Sequence, residues 1–221
     1  MRNLHPVRPQ ERLRDHGTFV RPDGSRERWT VHSLAPGRHI VRVDVAGVEG
    51  PASRSELWHL MLDESGRPER MQVRLSEGGP PLEATFTFFE DEVLVWRKGG
   101  GSASEAIELP PQCRLLWPPV AGREYCLGVG AGAPSSEKQP LPEVPEGDTA
   151  MRLFHIAFVP IVEGGVVGRA VEFTARRGPH SIALSADDMP EMRGDIDDQG
   201  RLVRWRDGQQ QTERVSDDND E

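Results

Sequence analysis

The sequence predicts an all-β protein, an antiparallel rolled sheet or barrel-like β-roll. Three observations carry this expectation. Apolar and polar residues alternate with a period of two in one segment after another, as strands with a single buried face require. Short turns rich in Gly, Asp and Pro separate those segments, and the 221 residues hold 23 glycines and 19 prolines, too many helix breakers for a helical bundle. About ten strands result, and an open sheet of that width curls or closes.

Residues 1–16 are polar, with Arg2, Arg8, Arg12 and Arg14, and read as an arm. Strand signals begin at Thr18. Trp29-Thr30-Val31 is the first segment. In His39 to Val45, Val41, Val43 and Val45 share one face while Arg42 and Asp44 take the other. Leu57 to Leu62 is apolar on both faces. Asp63-Glu64-Ser65-Gly66-Arg67 then reads as a turn, with Gly66 suited to a left-handed backbone.

Met71, Val73 and Leu75 alternate with Arg70, Gln72 and Arg74; after Glu77-Gly78-Gly79-Pro80, Ala84, Phe86 and Phe88 alternate with Thr85 and Thr87. Val93 to Trp96 follows, ended by Gly99-Gly100-Gly101. Consecutive strands joined by short turns form a meander. From Ile107 to Tyr125, Pro110-Pro111 and Pro118-Pro119 break any regular element, and Leu115-Leu116-Trp117 between them reads as an apolar plug or a lid.

Residues 128–149 form a Pro/Gly-rich loop. Strand signals resume at Leu153 to Val159, at Val171-Phe173-Ala175, at Ile182 and Leu184, and in a hairpin from Met192 to Trp205. Residues 216–221 are an acidic tail. The expected layout is a polar arm (1–16), one β-roll domain (17–215) with halves at about 17–127 and 150–215, and the tail. Asp63-Glu64-Ser65-Gly66-Arg67 and Asp197-Asp198-Gln199-Gly200-Arg201 match, which points to two related halves; the alternative is that such turns recur in any antiparallel protein.

The formal net charge is −9, against the basic face that nucleic-acid binding needs. No run of 18 apolar residues offers a transmembrane helix. The N-terminus lacks an apolar signal core, which predicts a cytoplasmic protein, or a periplasmic one if a leader has been trimmed. Of the 27 basic residues, 25 are Arg. Codon usage explains that bias as well as fork-shaped anion recognition does. Cys113 and Cys126 read as two reduced thiols in a cytoplasm, or as one disulfide in an oxidising compartment.

No catalytic signature is present. Asp195 to Gly200 resembles the start of a calcium loop, but Arg206 stands where a bidentate Glu is needed. Gly128-Val129-Gly130-Ala131-Gly132 is followed by Pro134 and a polar loop where a dinucleotide site needs a helix. Neither a metal site nor a cofactor is expected. His59 and His155 sit inside apolar strands, as satisfied core histidines or as groups that orient a ligand. Arg42, Arg70, Arg74, Arg97 and Arg204 read as a solvated face, or as inward groups that meet an anionic head. Trp58, Trp96, Trp117 and Trp205 read as core or rim packing.

The hairpin Leu62 to Leu75, the aromatic strand Phe86 to Phe89 with Val93 to Trp96, and the closing hairpin Met192 to Trp205 resemble the bacterial glycolipid-binding proteins. These are similar in layout to the lipoprotein-carrier group of curled β-sheets. The resemblance covers about residues 28–98 and 168–215. It implies a rolled antiparallel sheet that binds lipid-like molecules without catalysis. The loop at 128–149 has no counterpart in that pattern, the exporting relatives carry signal peptides, and no functional residue carries over.

The expected function is non-catalytic binding of an apolar or amphiphilic, lipid- or glycolipid-like molecule in the roll interior. Leu60, His59, Phe86, Phe88, Trp96, Phe154 and His155 are the candidate ligand-binding residues. Two alternatives remain open: an interaction module without a pocket, and an enzyme using a His–carboxylate pair such as His59 with Asp44. The oligomeric state is left open.

Overall fold

In a computed structural model, residues 9–34, 37–47, 54–77, 80–98, 102–111, 113–127, 144–159 and 165–215 are described. Among them run β1 (Arg12–Val20), β2 (Arg26–Leu34), β3 (Arg38–Ala46), β4 (Arg54–Leu62), β5 (Pro68–Glu77), β6 (Leu82–Phe88), β7 (Glu92–Lys98), β8 (Ser102–Glu108) and β9 (Arg114–Leu116). A one-turn helix α1 (Arg123–Leu127) precedes β10 (Gly147–Phe158), β11 (Val166–Gly178), β12 (Ser181–Ala186), β13 (Met189–Ile196), β14 (Leu202–Asp207) and β15 (Gln210–Val215).

All fifteen strands form one sheet in the order β8-β7-β6-β5-β4-β3-β2-β1-β15-β14-β13-β12-β11-β10-β9. Every pairing is antiparallel except β9 with β10 at one edge. The chain runs from the middle of the sheet to one edge, crosses to the other edge, and returns to pair β15 against β1 at Thr18↔Val215.

Period-two patterning explains why this sheet rolls. Val31, Val41, Leu60, Met71, Phe86 and Val95 stand in register on one face across six strands, and all are buried. Phe173, Ala175, Ile182 and Leu184 bury the same face on the returning side. Each large side chain buried this way contributes roughly 1.5–3 kcal/mol, and curling the sheet buries both halves at once. Strands distant in the sheet order therefore meet. Phe86 and Phe88 of β6 pack edge-on to Phe154 of β10, with ring centroids 6.4 and 5.7 Å apart. Arg97 Nε of β7 donates to the Val166 carbonyl of β11 at 3.1 Å.

The interior is filled. Leu115, Leu116, Trp117, Val120, Ala121, Tyr125, Cys126 and Leu127 are all buried, so the proline-bounded segment is a plug inside the roll. Trp117 meets Trp58 of β4 edge-on at 5.9 Å.

Several expected boundaries shift. The arm was expected to reach residue 16, but β1 begins at Arg12, paired there with Ser33. Its first residues are exposed and, Leu13 apart, polar, so they carry no apolar alternation. β8 (SASEAIE) and β15 (QQTERV) escape the sequence reading for the same reason, and the described residues hold fifteen strands rather than about ten. The 128–149 loop ends early, because β10 starts at Gly147 and Val144 is already buried. Residues 128–143 and the tail at 216–221 lie outside the described residues.

The two matched turns share their bonding. Asp63 Oδ1 accepts the N–H groups of Ser65 and Arg67 at 2.8 and 2.9 Å. Asp197 Oδ1 accepts those of Gln199 and Arg201 at 2.9 and 2.8 Å. Gly66 and Gly200 supply the positive φ, 81° and 74°. The turn at Arg21–Ser25 repeats the backbone bonds with its Asp at a different position. The backbone bonding of the match is therefore not confined to these two turns.

Candidate functional site

The plug leaves a cleft at each end of strand β4. Leu116 lines one and Leu115 the other. The larger, about 710 Å³, opens beside the β1–β2 turn, the first residues of β4, the last residues of β10 and the β14–β15 turn. The smaller, about 390 Å³, opens beside the β4–β5 and β6–β7 turns.

A buried ionic network builds one wall of the larger cleft. Arg21 donates from Nε to Glu27 Oε1 at 2.6 Å and from Nη1 to Glu56 Oε1 at 2.9 Å. Glu56 Oε2 also accepts the Trp58 indole N–H at 2.8 Å, and Glu27 Oε2 accepts the backbone N–H of Val120 and Ala121. Burial alone lowers the pKa of Arg21, but the charges of Glu27 and Glu56 outweigh it and raise it. The Arg54 guanidinium lies 3.7 Å from the Phe158 ring centroid and 3.3 Å from Glu56.

Arg123, carried on the plug and only 6% exposed, forms the floor. Its Nε donates to the Trp117 carbonyl at 3.1 Å and its Nη2 to the Pro118 carbonyl at 2.7 Å. Its guanidinium lies 4.5 Å from the Trp205 ring centroid. Burial pulls its pKa down to about 10, with Glu27 the largest opposing charge, so it stays protonated near neutrality. Burial, followed by the charges of Arg123 and Arg169, pulls His155 down to about 4, so its imidazole is neutral.

Four polar atoms on residues lining this cleft, Arg123 Nη1, Trp117 Nε1, Trp205 Nε1 and His155 Nδ1, are shielded from water and have no hydrogen-bond partner among the described residues. Each unmade bond costs about 1–3 kcal/mol. Three of the four are obligate donors. Apolar surface from Leu116, Phe158 and Met192 completes a lining in which rings and guanidinium groups share the wall. Such a surface suits a molecule with an apolar body and a hydrogen-bond-accepting end.

The expected ligand residues are dispersed. His155 lines the larger cleft, and Phe88 and Phe154 line the smaller. Leu60 and Phe86 are fully buried in the packed core and line neither. His59 lies on the face of β4 away from Trp58 and Leu60, opposite Arg42, and is buried there. Trp96 is 44% exposed on the outer face of β7. Asp44 stands opposite Leu57 and diagonal to His59, on the same face of the sheet. Glu172 is a solvated carboxylate paired with Arg152 at 3.2 Å.

Sequence reasoning missed Arg21, Arg54, Arg123 and Phe158 as cleft residues; Trp117 and Trp205 are core packing as expected and also line the cleft. The available signal was the pair Arg123-Glu124, set four residues beyond Pro118-Pro119 in an otherwise mostly apolar stretch. In the smaller cleft, Cys113 is half-buried and its thiol is pushed up to about 12 by burial. Cys126 is buried, and both cysteines are free. Phe89 stands 49% exposed at that cleft's rim. Among the described residues, no helix is long and apolar enough to cross a membrane.

No protein-family model matches the chain, and no curated protein does. The chain is similar to a crystal structure from Brucella abortus, a beta-barrel-like protein of the domain of unknown function DUF1849. They share 10% identity, the match covers 90% of this chain and 92% of that one, and the TM-score is 0.50. The likeness gives this chain a β-barrel-like fold, and it does not extend to the glycolipid-binding or lipoprotein-carrier groups.

Proposed function

We propose that this protein binds an amphiphilic molecule, without catalysis, in the cleft floored by Arg123. The observation that supports this is the set of unpartnered donors on Arg123, Trp117 and Trp205 along one aromatic-lined cleft. An apolar body lies against Phe158, Trp205 and Met192, and an accepting head group meets the donors. The ligand does not reach Leu60 or Phe86, because the plug already fills the interior there.

Mass spectrometry of an organic-solvent extract, beside a matched control purification, tests the reading directly. A stoichiometric amphiphile is expected. The neutral fluorophore N-phenyl-1-naphthylamine provides a second test, with binding lost in a folded Phe158→Asp variant. An empty extract together with equal binding by that variant removes the proposal.

A second reading, an interaction module, rests on Leu94 and Trp96. Both are exposed on the outer face of β7 beside the edge strand β8. It expects self-association that Trp96→Glu abolishes in sedimentation velocity.

A further inference from the structure

We infer that the head-group end of this cleft is a carboxylate site in which Arg123 is the fixed cation, so that the ligand class is a monoanionic apolar carboxylate such as a fatty acid or an aryl carboxylate. This rests on the amphiphile reading above and adds the chemistry of the head.

The three arginines of the cleft are unequal. Arg21 is committed to Glu27 and Glu56. Arg54 sits 3.3 Å from Glu56 and over Phe158. Arg123 differs: among the described residues no carboxylate lies within 4.0 Å of its guanidinium, whose only partners are two backbone carbonyls and an indole ring. The neighbouring Glu27 is spent, with Oε1 on Arg21 and Oε2 on the amides of Val120 and Ala121. Asp207 also lines the cleft; it is exposed, and its charge acts on Arg123 only from beyond contact distance.

A buried cation without a contacting anion is a costly arrangement that an anionic ligand relieves. The two carbonyl bonds and the contact with Trp205 hold the guanidinium in place, so little ordering cost remains when an anion arrives. Arg123 Nη1 and the indole N–H groups of Trp117 and Trp205 are donors on residues that line the cleft, each covered from water in the empty cleft, so a carboxylate reaches them by small shifts of the lining. A phosphate dianion brings a second charge into a wall that already holds Glu27, Glu56 and Asp207. A cationic head meets Arg123 itself. The body of the ligand is set by the apolar lining and by about 710 Å³ of space.

The test is a head-group series at constant tail length: dodecanoate, dodecanol, dodecyl phosphate and dodecyltrimethylammonium. Each is titrated calorimetrically, below its micellar concentration, into the full-length protein. Dodecanoate is expected to bind about tenfold more tightly than dodecanol, the scale of one charge-assisted hydrogen bond, and the ammonium not at all. Arg123→Gln is expected to bring dodecanoate and dodecanol within about twofold of each other. Equal binding of the acid and the alcohol by the wild-type protein overturns the carboxylate site and leaves the amphiphile reading standing. Tighter binding of the phosphate overturns the head-group class. Failure of all four overturns the amphiphile reading itself. If Arg123→Gln does not fold, the wild-type series and Arg123→Lys decide. The lysine keeps the charge but loses the planar fork, and a weakened preference for the acid is expected.

Discussion

Glu27 Oε2 on β2 accepts the backbone N–H of Val120 at 2.9 Å, a bond that spans 93 positions and pins the plug to the sheet. The same oxygen takes Ala121, and the other takes Arg21. Replacing Glu27 by Gln removes the charge and turns an amide donor toward either Arg21 or the plug's N–H groups. Breaking a buried pair costs about 3 kcal/mol, and the partial exposure of Arg21 makes that an upper figure here. Urea unfolding is expected to show a loss of that order, with changed Trp fluorescence as Trp117 loosens. An unchanged midpoint excludes this role for the carboxylate.

Gly168 on β11 is set by contact. A Cβ there would lie 2.4 Å from Cζ of Phe154. That ring cannot swing away, because Phe86 and Phe88 hold its other sides and it is 1% exposed. Gly168→Ala is expected to cost roughly 1–3 kcal/mol through overpacking. Adding Phe154→Leu, which withdraws Cζ, should make the pair less destabilised than the sum of the single changes, read from thermal melts as a coupling energy.

A buried group and a half-buried one give stability opposite pH dependences. Burial pushes Glu124 on α1 up to about 7, with Arg214 partly opposing and Asp15 adding to the rise. The folded state then holds its proton more tightly than the unfolded chain does. The associated stability is present in acid and is lost as pH rises through about 7, by roughly 3 kcal/mol. His155 is lowered, so its contribution is present near neutrality and is lost as pH falls through about 4. Glu124→Gln is expected to gain on the wild type between about pH 5 and pH 8. Denaturation midpoints at both values check this, and a constant difference between the two proteins rules it out.

Both thiols are expected to be inert in the folded protein. Burial raises Cys113 to about 12 and Cys126 further still, so neither is a thiolate near pH 8. Ellman's reagent should label neither over minutes in buffer and both in guanidinium. Rapid native labelling of Cys113 would show the smaller cleft to be far more open and polar than its lining suggests.

The fold was legible wherever one face of a strand is apolar. Val41-Val43-Val45, Met71-Val73-Leu75 and Ile182-Leu184 announce their strands, because burial on one side imposes period two. β8 and β15 carried no such signal. They are held by ladder bonds to β7 and β14, which constrain no side-chain type. The plug was legible because Leu115-Leu116-Trp117 is apolar between proline pairs. Which cleft residues meet was not legible. Arg21, Arg54, Arg123 and Trp205 come together only through rolling of the sheet, and nothing local in the sequence encodes that closure.

The seam between β1 and β15 has a consequence for biogenesis. As the chain leaves the ribosome, β1 to β8 can zip together in order, each strand meeting a neighbour already made. β1 keeps one edge bare until residues 210–215 emerge, because its second partner is the last strand of the sheet. Closing so long a loop costs only logarithmically more than closing a short one, but the wait is long. A nascent meander with an open central edge is the species that chaperones bind and that aggregates if they do not.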